Sequence, residues 1–267
     1  LCLPGGGLST PARLRILLDQ QATAICCTPT YAIRLAEVAS NEGIRLEESG
    51  VRTIFAAGEP GASIPATRSR IESLWQGARV VDQHGMTEVG PVTHEWPQEK
   101  NNLQIIDHAY LAEIVKPGGN EPAAYGKEGE LILTTLTRTA MPLIRYRTGD
   151  LVRSEIIDDA LILKGGILGR TDDMIIVRGV NIYPSAFEHI LRRLPAVAEY
   201  QVVILEKNEM TELLLRVEPQ SESNAPDLDE EISAALRSQL NLRVPVEIVP
   251  TESLPRFELK AQRWIRE

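Results

Sequence analysis

The sequence predicts an α/β fold: a parallel-sheet α/β portion plus a β subdomain, followed by a small α+β C-terminal domain. Three observations predict it. Short apolar runs at Ala24–Cys27, Thr53–Ala57 and Ala78–Asp82 alternate with amphipathic stretches, as in a parallel sheet. After Pro91 the apolar runs are joined by Gly-, Pro- and Asp-containing loops, as in an antiparallel sheet. The stretch Gly169-Arg170-Thr171-Asp172-Asp173 then marks a boundary, and about a hundred residues beyond it suffice for independent folding. The expected division is 1–170, with the β subdomain from about 92, and 171–267 as a small mobile domain.

Each element has a local reason. Ser9-Thr10-Pro11 opens a helix, with Leu14, Leu17 and Leu18 on one face. Ala24–Cys27 reads as a short buried strand. Thr28-Pro29 caps a second helix, with Ile33, Leu35, Ala36 and Val38 apolar and Gly43 as its stop. Thr53–Ala57 is a strand that ends in Gly58-Glu59-Pro60-Gly61. A helix from about Pro65 to Gln76 and a strand at Ala78–Asp82 follow. That strand runs into Gln83-His84-Gly85-Met86-Thr87-Glu88-Val89-Gly90-Pro91. Functional loops lie at the C-terminal ends of parallel strands, so the Gly58 and Gly85 stretches should face one crevice. Further strands are expected at Leu111–Val115, Glu130–Thr134, Leu143–Tyr146 and Leu161–Leu163, whereas Thr93 to His108 gives no clear signal. The last domain reads as strand Met174–Val177, helix Pro184–Leu194, strands Tyr200–Leu205 and Glu212–Val217, helix Leu228–Leu240 and strand Val246–Val249.

Composition bounds the function. Of 267 residues 43% are apolar, enough for a core, and the net charge of −9 argues against nucleic acid or an anionic membrane as partner. No apolar run is long enough for a membrane span, and Leu1-Cys2-Leu3-Pro4 has no basic start of a signal peptide. The three cysteines, Cys2, Cys26 and Cys27, lack metal-ligand spacing. Cys26 and Cys27 read as small buried hydrophobes, which points to a reducing cytoplasm. The sequence has no initiator Met, as expected of a fragment or a processed chain. A homodimer is left open.

The chemistry sits in turns. Gly85-Met86-Thr87-Glu88 at a strand end can offer backbone N–H groups and a hydroxyl to a phosphate, and a carboxylate to its metal. Arg145-Tyr146-Arg147-Thr148-Gly149-Asp150 puts a carboxylate in a tight turn after a strand, suited to the vicinal hydroxyls of a ribose. Arg170 stands beside Asp172 and Asp173. Arg178-Gly179-Val180-Asn181 is a strand end, and Lys260 lies in Pro255-Arg256-Phe257-Glu258-Leu259-Lys260. Taken singly these are an ordinary turn, a salt bridge, a left-handed turn and a solvated lysine. Their order and spacing say more.

Gly58-Glu59-Pro60, Gly85-Met86-Thr87-Glu88-Val89, the run from Glu130 to Leu136, Pro142 to Asp150, and Gly169 to Asn181 together resemble the adenylate-forming superfamily. Within it the chain resembles the phenylacetate–CoA ligase family, and Cys27-Thr28-Pro29-Thr30-Tyr31-Ala32 fits the same pattern. The resemblance implies an ATP-dependent acid–CoA ligase that adenylates a carboxylic acid, an aromatic acid such as phenylacetate, and then forms the thioester. ATP/AMP, Mg²⁺ and coenzyme A would be its small-molecule partners.

By the same resemblance Thr87 contacts the α-phosphate and Glu88 holds Mg²⁺. Asp150 binds the ribose with Arg170 nearby, and Gly58, Glu59 and Pro60 line the adenine beside His84, Gly85 and Met86. Asp172 is the hinge, Gly179 lets CoA pass close to backbone, and Lys260 is the catalytic lysine of adenylation. The acyl pocket, largely apolar, draws on Tyr31, Ala57 and Ile64.

The chain also departs from the pattern. Pro4-Gly5-Gly6-Gly7 lacks the hydroxyls of the family's phosphate loop and has no strand before it. Either an N-terminal part lies outside this sequence, or the chain handles triphosphate poorly. His84 stands for the usual tyrosine and Leu259 for a glycine. Thr93-His94-Glu95-Trp96 replaces a Cys/His segment, so His94 and His108 give no metal site. The alternatives are transfer to a carrier-protein thiol and a non-catalytic nucleotide-binding module.

Overall fold

The computed structural model describes residues 2–178, 180–207, 210–221, 226–258 and 260–267. They form two compact units. One is Leu1–Leu168 with Phe257–Lys260; the other is Gly169–Arg256 with Ala261–Glu267.

The first unit begins with α1 (Thr10–Asp19), β1 (Ala24–Cys27), α2 (Pro29–Asn41), β2 (Thr53–Ala56), α3 (Pro65–Leu74) and β3 (Arg79–Asp82). The three strands form a sheet of order β1-β2-β3, parallel throughout, as the alternating pattern requires. The Thr28 side chain starts α2 by accepting from the Tyr31 amide at 3.1 Å. Gly43, at φ +68°, lets the chain leave it. Ala32, Leu35, Ala39, Ile54, Ala56, Ile71, Trp75 and Val80 build the core between helices and sheet. Trp75 decides where α3 stops. Its ring turns inward and its Nε1 donates to the Ala32 carbonyl at 2.9 Å, so the helix ends at Leu74 and not at Gln76. β1 is not a buried strand: Cys26 is exposed and Cys27 half-buried. The reason is position: among the described residues β1 is one of the sheet's two edge strands, and a central strand's burial does not apply to it.

A small hairpin follows, β4 (Gly85–Met86) and β5 (Gly90–Pro91), and then six strands: β6 (Thr93–Glu95), β7 (Asn102–Ile105), β8 (Tyr110–Val115), β9 (Glu128–Thr135), β10 (Tyr146–Ile157) and β11 (Ala160–Lys164). They form an antiparallel sheet of order β6-β7-β11-β10-β9-β8. Val89, Val92, Leu103, Leu131, Leu133, Val152 and Leu163 share its core. The unassigned stretch Thr93–His108 thus supplies two strands. The expected strand at Leu143–Tyr146 is absent; β10 starts only at Tyr146. Before it, the Leu143 amide donates to Thr135 Oγ1 at 2.9 Å and Arg145 takes φ +49°, a turn and not a ladder.

The second unit contains β12 (Gly169–Arg170), β13 (Ile175–Val177), β14 (Val180–Ile182), α4 (Pro184–Leu191), β15 (Val197–Lys207), β16 (Met210–Pro219), α5 (Leu228–Leu240), β17 (Val246–Ile248) and β18 (Trp264–Arg266). Its main sheet has order β17-β16-β15-β18, antiparallel at the centre and parallel at both flanks. Phe187, Ile190 and Leu191 of α4 and Leu228, Ile232 and Leu236 of α5 pack on Val202, Leu215 and Val217.

A buried ionic network ties the chain end into this core. Arg263 donates to both oxygens of Glu199 at 2.7 and 3.0 Å. Arg192 reaches Glu188 at 2.9 Å and Glu199 at 3.1 Å, and the Tyr200 hydroxyl donates to Glu188 at 2.6 Å. Burial pushes the Glu188 carboxyl up, but Arg192 and Arg263 outweigh it and hold it down at about 2.

Candidate functional site

The site is built on the ends of β2 and β3, which neighbour each other in the parallel sheet. After β3 the chain turns sharply at His84. The His84 carbonyl accepts from the Val92 and Thr93 amides at 2.9 and 3.1 Å, and its own amide donates to Thr93 Oγ1 at 2.9 Å. This closes the base of the β4–β5 hairpin. Gly85 is required there: a Cβ would lie 2.7 Å from the Gly90 carbonyl oxygen, which is backbone and has little room to give. Val89 is buried, and its carbonyl accepts from the Tyr110 hydroxyl at 2.7 Å. Thr87 and Glu88 are left exposed at the tip.

The hairpin's base meets the β subdomain. His84 Nε2 lies 3.1 Å from Asp150 Oδ2. The sequence predicts Asp150 in a turn after a strand. It lies instead inside β10, where the register with β9 shifts between Arg147 and Leu151 and Gly149 takes φ +75°. That bulge re-aims the strand. Thr148 holds it by donating to the Leu131 carbonyl at 2.8 Å and accepting from the Asp150 amide at 3.0 Å. Gly149 was the signal in the sequence, but the strand on both sides of it was not visible there.

The loop after β2 has a structural task of its own. Glu59 accepts from the Thr30 amide at 2.8 Å, at the positive end of α2. Gly58 takes φ +96°, and a Cβ built on it would meet Lys260 Cε at 3.8 Å. Lys260 is exposed, and among the described residues no carboxylate pairs with it. Pro60 is exposed; Ala57, Ile64 and Met86 are half-buried. Tyr31 is buried, with its hydroxyl 3.1 Å from Thr10 Oγ1 and bonded to Arg13.

Beneath the turn lies a polar cluster the sequence did not reveal. Asp82, the last residue of β3, accepts from the Ser63 hydroxyl, and Gly166 approaches both so closely that a Cβ would overlap Ser63. Arg68 lies 3.2 Å from Glu95, and the Asp82 amide donates to Glu95 at 3.3 Å. All four side chains are buried. Burial pushes the Asp82 carboxyl up to about 6, with the Ser63 hydrogen bond and the Arg68 charge opposing it. Only the tertiary fold brings these residues together.

In the second unit Arg170 grips Asp172 with two hydrogen bonds, 2.8 and 2.9 Å. That pair holds the Asp172 carboxyl below its ordinary range. Gly179 and Leu259 lie outside the described residues. Among the described residues no three His, Cys, Asp or Glu side chains form a metal-binding group, and no helix is long and apolar enough to cross a membrane.

A parallel α/β sheet whose strand-end turn meets a carboxylate of an attached β subdomain, with a separate α+β unit after it, defines a class. The chain belongs to the AMP-binding enzyme family, whose pattern matches residues 1–137; the AMP-binding enzyme C-terminal domain matches residues 179–267. It is 31% identical over 281 residues to phenylacetate-coenzyme A ligase of Thermus thermophilus, covering 96% of this chain and 62% of that protein. It is also 31% identical over 273 residues to phenylacetate-coenzyme A ligase of Escherichia coli, covering 98% of this chain and 62% of that protein. Among solved structures, 2-hydroxyisobutyryl-CoA ligase in the postadenylation state with R3-HIB-AMP superposes at TM-score 0.90. That match has 32% identity and covers 100% of this chain and 58% of the other. The chain therefore spans less than two thirds of the relatives it matches. The resemblance drawn from the order of motifs is borne out, as is the mixed α/β fold.

Proposed function

We propose that the chain forms the AMP-binding and C-terminal parts of an ATP-dependent acid–CoA ligase. One observation carries the reading: the 3.1 Å approach of His84 on the central turn to Asp150 in the β10 bulge. Two sequence-distant groups suited to adenine and ribose converge there, and the family relationship gives that convergence its meaning. In the first half-reaction an oxygen of the substrate carboxylate attacks the α-phosphorus of ATP and pyrophosphate leaves. In the second the thiol sulfur of CoA attacks the acyl carbon, loses its proton, and AMP leaves.

The chain's own residues take these roles. Asp150 accepts from the ribose hydroxyls, and Arg170 is read as a further nucleotide-binding residue. Gly58, Glu59, Pro60, His84, Gly85 and Met86 surround the base. Thr87 donates to the α-phosphate. Lys260 offsets charge as it develops between carboxylate and phosphorus, and its side chain reaches the Gly58 loop. Glu88, a single exposed carboxylate on the tip, suits Mg²⁺, which takes few protein ligands and completes its shell from phosphates and water; the ion would neutralise phosphate charge there. Tyr31, Ala57 and Ile64 contribute to an apolar acyl pocket. The Tyr31 hydroxyl is already engaged by Arg13 and Thr10, which suits an apolar, aromatic acid such as phenylacetate.

The domains act as 1–170 and 171–267, with Asp172 as the hinge and Gly179 beside the passage for CoA. A cytoplasmic location belongs to the same reading, and a homodimer stays open. The test is calorimetry of AMP binding. Asp150→Ala removes both acceptors and weakens AMP by about 1–3 kcal/mol, roughly five- to 150-fold; unchanged affinity overturns the assignment.

A further inference from the structure

Glu258 is held on α1 and α2 by a closed ring of hydrogen bonds. Hydrogen count fixes its direction. Thr10 Oγ1 donates its one proton to Glu258 Oε1 at 2.9 Å. The Tyr31 hydroxyl, 3.1 Å from Thr10 Oγ1, must then donate to it. Arg13 Nη1 donates to both the Tyr31 oxygen and Glu258 Oε2, the latter at 3.2 Å. The Arg13 guanidinium also lies over the Tyr31 ring, 5.0 Å from its centroid.

Thr10 and Arg13 stand one turn apart on α1, so both face the same way. Thr10 is 4% exposed and Tyr31 7%, while the Glu258 side chain remains 51% exposed. A half-exposed ion pair alone contributes little. Here the carboxylate also caps two buried hydroxyls in series, so removing it leaves the Thr10 donor unsatisfied in a buried place. Lys260 is two residues on, with its side chain over Gly58.

We propose that Glu258 is a positioning residue: with Arg13, Thr10 and Tyr31 it fixes the lysine-bearing segment so that Lys260 stands at the Gly58 loop during adenylation. Glu258 touches no reacting atom; it acts through Lys260, and the inference rests on the adenylation role proposed for that lysine.

The test uses the complete gene product and two readouts. The first is amide hydrogen exchange of a peptide spanning 255–262, which does not depend on activity. The second is a pair of rates: acid-dependent ATP–pyrophosphate exchange, and thioester formation from pre-formed acyl-adenylate and CoA. Glu258→Ala loses protection in the peptide and about tenfold or more in pyrophosphate exchange, the scale of one charged hydrogen bond. It keeps the rate of thioester formation. Arg13→Ala behaves alike, and the double variant is no worse than the weaker single, because both changes open one ring. Glu258→Gln, which keeps an acceptor for Thr10, recovers part of the loss. Unchanged protection and exchange in Glu258→Ala, additive losses in the double variant, or equal loss of both half-reactions overturns the proposal. If the wild type performs no adenylation yet its peptide is protected and loses protection in Glu258→Ala, the ring stands and the adenylation reading falls instead.

Discussion

Asp82→Asn should stabilise the protein, although it removes a charge from a turn that carries the candidate site. Asp82 is buried at the end of β3, with Ser63 donating to it. The nearest buried cation is shared. Arg68 lies 3.2 Å from Glu95 and also serves the Ala62 and Val80 carbonyls. Arg79 approaches Glu95 only to 3.9 Å, and its side chain is mostly exposed, so it is screened. Two buried carboxylates thus face one buried guanidinium, and burial wins at Asp82. Its carboxyl rises from 3.8 to about 6, a difference of about 3 kcal/mol in favour of the protonated form.

The sign follows. The native state binds this proton more tightly than the unfolded chain, so stability falls as pH rises from about 4 to about 6 and is level above. Asparagine keeps the shape and an acceptor for Ser63 without the ionised form. Urea denaturation at pH values from 4 to 8 should find Asp82→Asn more stable by up to about 3 kcal/mol at pH 8, with the gap closing toward pH 4. A variant less stable at pH 8, with a gap that stays constant down to about pH 4 and closes only below it, would show that Asp82 is ionised and paired with Arg68, and the burial argument would be wrong.

Gly85→Ala forces a Cβ to within 2.7 Å of the Gly90 carbonyl oxygen; the hairpin must open, and AMP affinity should fall about tenfold or more in titration calorimetry, since the turn amides lose their aim. An alanine variant with wild-type affinity would place the nucleotide elsewhere. Arg263→Met leaves Glu188 and Glu199 buried with Arg192 alone and should cost about 3–5 kcal/mol in urea denaturation near neutral pH. Because Glu188 titrates at about 2, its share of wild-type stability is complete above its ordinary 4.5 and is lost as pH falls toward 2. A loss already complete at pH 5 would contradict the network.

The sequence carried most of the fold because period and punctuation are local. Thr28-Pro29 and Gly43 bound α2, and the apolar runs gave β2 and β3 within a residue. The errors came where the tertiary structure decides. β1 reads as buried from its composition, but its exposure depends on its neighbours. The run from Leu143 to Asp150 looks like a strand followed by a turn; pairing with β9 makes it a turn followed by a strand with a bulge. β14 and β18 were not legible in the sequence. The candidate site was legible as motifs, and His84 and Asp150 do meet. Thr10, Arg13 and Glu258 were not legible: an ordinary helix start and an ordinary acidic residue acquire a role only when the fold joins them.

The most direct test of the central claim is acid-dependent ATP–pyrophosphate exchange by the complete gene product across a panel of carboxylic acids, followed by addition of CoA. The account predicts exchange that requires the acid and favours an aromatic one, then AMP and acyl-CoA formed in equal amounts. It also predicts that Lys260→Ala lowers exchange by about a hundredfold or more, the scale of one charge-stabilising donor, while thioester formation from pre-formed acyl-adenylate continues. Measurable AMP binding with no exchange on any acid would contradict it and leave a nucleotide-binding module without catalysis.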